Sequence, residues 1–208
     1  MTLEQAVRAV QEADERLNAG SPRPFVLPVG ELAPIVAGAV SALGKGDWWV
    51  PGLRERTGAV LRGVPIERLA DGLVGARPYK VAAPGGSPAL RALVAVGLAE
   101  ADHERAALVH LGIGSAADGA FHEALNLAAL LGPTVLFVVA VHPLDGKDAP
   151  LGRQLAADLE ALARSFRIPS TSVDATDAKA VHAAVTAARK ARGPHLIAAR
   201  LTSRVEET

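Results

Sequence analysis

The residues best placed to do chemistry in this sequence are six small or apolar ones in a row. Gly112-Ile113-Gly114-Ser115-Ala116-Ala117 matches G-x-G-x-x-A, a spacing that lets backbone N–H groups approach a pyrophosphate where a strand turns into a helix. A dinucleotide site also needs an acidic residue at the end of the next strand to hold a ribose hydroxyl, and that strand ends Val141-His142-Pro143. Small residues suit any such turn in a parallel sheet, so the pattern alone does not carry a nicotinamide or flavin site. Other chemistries are narrower still. The histidines, His103, His110, His122, His142, His182 and His195, never recur at the spacing that puts two imidazoles on one helix face to share a metal. There is no G-x-S-x-G elbow, no P-loop and no H-E-x-x-H. With no cysteine, thiolate zinc, iron–sulfur, disulfide and cysteine-nucleophile chemistry are excluded together. Asp102-His103-Glu104 reads as a solvated polar turn.

The elements that must position the glycine pair follow from pattern and punctuation. Ala107 to Leu111 is a short apolar run ending in Gly112, as expected of a strand buried on both faces. A helix is predicted from about Asp118 to Leu131. Ala124 to Leu144 carries no formal charge with His142 neutral and approaches membrane-span length, but Gly132-Pro133 splits it. The second half, Val135 to Val141, is rich in residues that favour strands. The apolar spacing of Leu151, Leu155, Leu159, Leu162 and Phe166 predicts one helix, and Thr171-Ser172-Val173 a strand. A helix capped by Asp174 or Asp177 runs to Arg192, Gly193-Pro194 ends it, and Leu196 to Ala199 supplies a last strand. Strands alternating with such helices predict an α/β fold, a doubly wound, mostly parallel sheet with helices on both faces. Before Glu100 the sequence predicts helices over Leu3 to Leu17, Leu32 to Leu43, Arg54 to Arg62 and Ile66 to Val74, with loops at Ser21-Pro22-Arg23-Pro24 and Pro84-Gly85-Gly86-Ser87-Pro88. Residues 1–208 are expected to form a single α/β domain, a mainly helical N-terminal layer over 1–100 packed on a βαβ core over 101–208.

Composition narrows the function classes. The 22 basic and 22 acidic residues cancel, so no global field concentrates a polyanion. Two Trp, one Tyr and four Phe are too few for stacking platforms on single strands or for a membrane belt. No nucleic-acid or membrane partner is expected. Met1-Thr2-Leu3-Glu4-Gln5 lacks the basic start and apolar run of a signal peptide, which predicts a cytoplasmic protein.

The run Gly112 to Ala129, with Phe121-His122-Glu123-Ala124-Leu125-Asn126 as its specific part, closely resembles the thiamine-diphosphate motif in the alpha subunit of 2-oxoacid dehydrogenases. These are the decarboxylating components of the pyruvate and branched-chain complexes. The resemblance extends to Gly46-Asp47-Trp48-Trp49-Val50-Pro51, Leu53-Arg54-Glu55 and Leu61-Arg62-Gly63-Val64-Pro65. It also takes in Asp148 through Leu201, including Phe166-Arg167-Ile168-Pro169 and Gly193-Pro194-His195-Leu196-Ile197. Nearly the whole chain is covered. The resemblance implies a thiamine-diphosphate-binding-type fold, an alpha–beta heterotetramer with the cofactor between unlike subunits, and diphosphate contacts at Arg54, Gly112, Gly114 and Ser115.

The departures from the family concern the cofactor. There, the turn's Asp and an Asn after the next strand ligate the Mg²⁺ that holds the diphosphate; the matching positions are Ile113 and Val141. Mg²⁺ takes hard oxygen ligands in near-octahedral geometry, which neither side chain supplies. Asp118 or His142 is the alternative that would rescue a metal, but Asp118 reads as a carboxylate favourably placed at a helix start. The family's aromatic-Arg pair is Leu53-Arg54, and its neighbouring His is Arg56. The segment from Gly72 to Pro84, which would carry substrate-side contacts, looks shorter. The family's His-containing closing loop is expected to be absent, the sequence reading Leu201-Thr202-Ser203-Arg204-Val205-Glu206-Glu207-Thr208. Two readings follow. In the first, the metal site is degraded, no cofactor or metal is expected, no residue is catalytic, and the chain is a structural subunit. It then pairs with a beta-like subunit or with itself, through the apolar helix that starts at Phe121. In the second, a functional alpha subunit holds thiamine diphosphate and Mg²⁺ through the Gly114 and Ser115 N–H groups and a helix N-terminus, and decarboxylates a 2-oxoacid with a beta subunit.

Overall fold

The strands that the apolar runs demand lie side by side in one parallel sheet, seen in a computed structural model that describes residues 1–19, 28–70, 76–84, 86–146 and 149–202. Among the described residues the strands are β1 (Trp48–Val50), β2 (Ala107–Gly112), β3 (Val135–Val141), β4 (Ser170–Asp174) and β5 (His195–Arg200), in spatial order β1-β2-β3-β5-β4. β3 is the central strand, and its register sets Phe137 between Val109 and Leu196. Every residue of β3 is buried, which is why its sequence is an unbroken apolar run.

Alternation along the strands divides the core in two. Leu108, Leu136, Val138 and Ile197 face α1 (Leu3–Asn18), α2 (Ala33–Ser41) and α8 (Ala178–Ala191). Val109, Phe137, Val139, Val141 and Leu196 face α4 (Pro88–Glu100), α5 (Gly119–Leu131) and α7 (Leu159–Ser165). Phe121 of α5 meets Phe137 edge to face at 5.8 Å, anchoring that helix on the central strand. Between α5 and β3, Gly132 adopts a left-handed φ of 75° and donates its N–H to Ala128, closing the helix before Pro133. The uncharged stretch is therefore a helix, a turn and a strand, and no helix among the described residues is long and apolar enough to cross a membrane.

The mainly helical residues 1–100 also give the sheet a strand, β1, and their helices divide, α1 and α2 on one face and α4 on the other. α4 itself went unread; Pro88 at its first turn starts it, and its nearly uniform apolar composition hides the helical period. The single helix over Leu151 to Phe166 is two, α6 (Ala149–Gly152) and α7, because Gly152 packs against the backbone of His142 and Pro143 too closely for a side chain. Leu151 is accordingly exposed while Leu159 is buried. The segment Arg54 to Arg62 is a 3-10 helix over Glu55–Arg62, and the next helix, α3, spans Ile66–Ala70; the predicted continuation over 71–74 lies outside the described residues, as does the loop at 21–24.

At the N-terminal end of the sheet one residue ties four segments together. Asp47, just before β1, is buried, accepts the N–H groups of Gly44 at 2.7 Å and Ala106 at 3.0 Å, and pairs with Arg189 of α8 at 2.5 Å. Arg62 donates to its backbone carbonyl at 2.8 Å. The Gly46-Asp47-Trp48-Trp49 segment thus owes its residue types to scaffolding at the end of the sheet away from the glycine turn.

Candidate functional site

The C-terminal ends of β1, β2 and β3 open on a cavity of about 410 Å³, the place where a parallel sheet presents its loops to a ligand. β2 delivers Gly112, and the chain then makes a 3-10 turn over Ile113–Ala117 that sets Gly114 and Ser115 on the cavity wall. From the segment after β1 come Leu53 and Arg54. All four positions named from the sequence, Arg54, Gly112, Gly114 and Ser115, border this one space. The helix that follows starts where the sequence predicts, at Gly119. The 3-10 turn stands between the glycines and α5, whose first turn is capped by Asp118, its carboxylate accepting the Ala120 N–H at 2.9 Å. The α5 N-terminus is thus occupied by the chain's own carboxylate, in competition with any external anion.

Sequence reasoning left three charged or polar residues of the cavity out of the site, Glu55, Arg91 and His142. Glu55 follows Arg54 in sequence with no spacing that marks it out, and Arg91 carries no local signal, because only the fold brings α4 to the end of β1. The Glu55 carboxylate and the Arg91 guanidinium lie side by side over Gly52, where a Cβ would collide with Glu55 Oε2 and come within 3.1 Å of Arg91 Nη2. Burial pushes the Glu55 carboxyl up against the opposing pull of its backbone hydrogen bonds, Arg91 and Arg54; burial also lowers Arg91. Arg54 donates from Nε to the Pro28 carbonyl at 3.1 Å and lies 3.8 Å from Glu31.

Ile113 and Val141, which the resemblance matches to the family's metal ligands, carry no side-chain oxygen. They are 5% and 6% exposed and belong to the same apolar cluster as Phe121 and Val139. Asp118 is engaged as a cap, and no group of three or more His, Asp or Glu side chains among the described residues could hold a metal ion. The donor set here does not fit an octahedral Mg²⁺.

The Phe-His-Glu-Ala-Leu-Asn run has structural work of its own. Phe121, Ala124 and Leu125 are buried against the sheet, and the Nε2–H of His122 donates to the Ala116 carbonyl at 2.9 Å, pinning the 3-10 turn. With this geometry the sequence model described as "Dehydrogenase E1 component" matches residues 1–200. The chain belongs to the dehydrogenase E1 component family. Within it, the chain is 32% identical over 178 residues to the 3-methyl-2-oxobutanoate dehydrogenase subunit alpha of two Mycobacterium tuberculosis strains, covering 78% of this chain and 48% of the relative. The E1-family chain therefore spans about half the length of the curated relatives it matches. An X-ray structure assigned to a thiamin diphosphate-dependent enzyme from Mycobacterium smegmatis superposes with a TM-score of 0.59 at 18% identity, over 88% of this chain and 36% of that one. The fold is of the thiamine-diphosphate-binding type.

One buried group of this E1-like fold gives it a pH signature. His110 on β2 is 3% exposed, stands edge-on to Trp49 at 6.0 Å, and is pushed down to about 3 by burial and then by the Arg91 charge. Below about 6.5 the unfolded chain takes up a proton that the folded one refuses, so stability falls as pH drops from about 6.5 toward 3, on the order of 1 kcal/mol per pH unit. Urea unfolding at pH 7 and pH 5 is expected to show this loss in the parent and a much smaller one in His110→Leu. Equal losses in both would assign the effect elsewhere.

Proposed function

We propose that this chain is a paralogue of the 2-oxoacid dehydrogenase alpha subunit whose Mg²⁺–thiamine diphosphate site is degraded, and that it serves as a non-catalytic, interface-forming subunit. The observation that carries this reading is the burial of Ile113 and Val141 in one apolar cluster. Restoring a metal there would require putting polar oxygen into a packed core. In this reading residues 1–208 act as one α/β domain in the cytoplasm, pairing with a beta-like subunit or with a second copy.

Phe121 itself is buried in the chain's own core, so the helix that starts there offers a partner its exposed far end, and α4 offers a second stripe. On α4, Leu90 and Val94 are four residues apart and about half exposed, and Gly97 continues the same stripe. On α5, Leu130 and Leu131 are exposed too. Small and apolar residues on a helix stripe allow close helix packing across an interface. The double substitution Leu90→Glu and Val94→Glu is expected to release the chain from its assembly, read by sedimentation of the tagged protein recovered from the cells that make it. A parent that sediments as a lone chain contradicts the interface reading.

A second reading is favoured by a specific observation, the convergence of Arg54, Gly112, Gly114 and Ser115 on one cavity in a relative of a 3-methyl-2-oxobutanoate dehydrogenase subunit alpha. Here the chain is a working alpha subunit that, with a beta subunit, carries out thiamine-diphosphate-dependent oxidative decarboxylation of a 2-oxoacid. Mg²⁺-dependent cofactor binding by the parent would favour it.

A further inference from the structure

The end of the sheet where Asp47 sits carries a second cavity, about 240 Å³, remote from the glycine turn. Four cations, Arg105, Arg189, Lys190 and Arg192, line it against two carboxylates, Asp47 and Glu104. The carboxylates are already engaged. Asp47 serves Arg189 and two backbone N–H groups, and Glu104 lies 3.7 Å from Arg192. Among the described residues no carboxylate pairs with Arg105 or Lys190. Local structure holds the cations at the wall. Arg105 lies across Gly46 and Arg189 across Gly44, where a Cβ would collide with either guanidinium. Arg192 follows α8 with φ 63° and ψ 165°, a backbone region that glycine occupies and other residues enter only under strain. Its guanidinium is fixed by donation to the His103 carbonyl at 2.6 Å. Thr134, the residue before β3's neighbouring start, is 4% exposed; its hydroxyl accepts the Gly193 N–H at 3.3 Å, and among the described residues nothing accepts its own proton. A ligand oxygen in the cavity would accept that hydrogen bond.

We infer that this cavity binds a phosphate group, free or on a phosphomonoester, received by Arg105, Lys190 and Arg192 with the Thr134 hydroxyl as a further donor. Charge and shape select the class. The cations exceed the carboxylates by two, and the carbonyl end of α8 offsets about half a unit, which suits the roughly −1.5 to −2 of a phosphomonoester at pH 7. The donors come from three segments, the turn before β2, the residue before β3 and the end of α8. They surround an acceptor that presents oxygens in three directions, whereas a carboxylate is planar and presents two. The space is smaller than the roughly 300–1,000 Å³ of pockets that enclose a whole ligand, so it takes a headgroup. Arg192 also lines the neighbouring cavity that holds Leu130 and Phe166, where the organic part of an ester would lie. The inference is independent of whether the glycine-turn cavity holds thiamine diphosphate.

Calorimetric titration of the full chain with inorganic phosphate, phenyl phosphate and acetate, at neutral pH and constant ionic strength, tests it. Saturable 1:1 phosphate binding is expected, weakened about tenfold or more in Arg105→Gln and in Lys190→Gln, whose exposed side chains the fold does not depend on. Tighter binding of phenyl phosphate assigns the site to an ester and tighter binding of inorganic phosphate to the free ion, and either result carries the inference. No saturable phosphate binding, acetate bound as tightly as phosphate, or an affinity that both variants leave unchanged overturns it. A loss confined to Arg54→Gln also overturns it, because the anion would then lie in the glycine-turn cavity.

Discussion

The doubly substituted chain Ile113→Asp, Val141→Asn is expected to bind thiamine diphosphate in a Mg²⁺-dependent manner, with no such binding in the parent. Both positions lie where β2 and β3 end and belong to the same buried cluster, so the two new oxygens would enter one region of the core. Without the ion the change is costly. A carboxylate and an amide replace core side chains that are 5% and 6% exposed, and each unsatisfied group costs about 1–3 kcal/mol. The apo variant should therefore melt well below the parent. Mg²⁺ and cofactor at about 100 times the dissociation constant return close to 3 kcal/mol by linkage, so its melting temperature should rise on addition of both and of neither alone. Calorimetric melting with EDTA, with Mg²⁺ and with Mg²⁺ plus thiamine diphosphate measures this. A variant that stays insensitive to ligand would show that more of the site than these two positions has been lost, Leu53 in place of the family's aromatic being the first place to look.

The second large effect is on stability. Asp47→Ala removes an acceptor that is 2% exposed and serves Arg189, Gly44 and Ala106 at once, at the point where α8 meets the start of β1 and β2. Breaking a buried pair by deleting one partner costs about 3–5 kcal/mol, and the low end applies because the Arg189 side chain keeps 35% of its exposure and can be solvated. Much of that cost comes from the buried Ala106 N–H, which loses its partner. Urea unfolding should show a loss of about 3 kcal/mol with an unchanged slope. Asp47→Asn, which keeps an acceptor oxygen but loses the charge, should fall between the two. A loss of less than about 1 kcal/mol in Asp47→Ala would mean that the sheet end is held by other contacts.

How far these residues could be read from the sequence depended on the range of the interactions that place them. α5 and β3 were legible because a capping aspartate, an apolar run and Gly132-Pro133 are all local signals. β1 was not. Three residues, Trp48 to Val50, are too few to show a period, and they become a strand only by pairing with Ala107 to Val109, far along the chain. α4 was missed for another reason, since a helix with apolar residues nearly all round offers no polar stripe to count. The break at Gly152 was invisible because its cause is the backbone of Pro143, not its neighbours in sequence. In the candidate site, the glycine turn and Arg54 were legible through a motif and a resemblance, and the fold brings them to one cavity. Arg91 and Glu55 meet only once α4 is placed against the segment after β1, so no spacing rule could have paired them.

The most direct measurement is native mass spectrometry of the tagged chain recovered from the cells that make it, with Mg²⁺ and thiamine diphosphate present throughout. The account predicts an assembly, with a beta-like chain or with a second copy, that carries no cofactor mass. An assembly that retains the mass of Mg²⁺ and thiamine diphosphate would contradict it, and would make Ile113 and Val141 spectators in a site built from other groups.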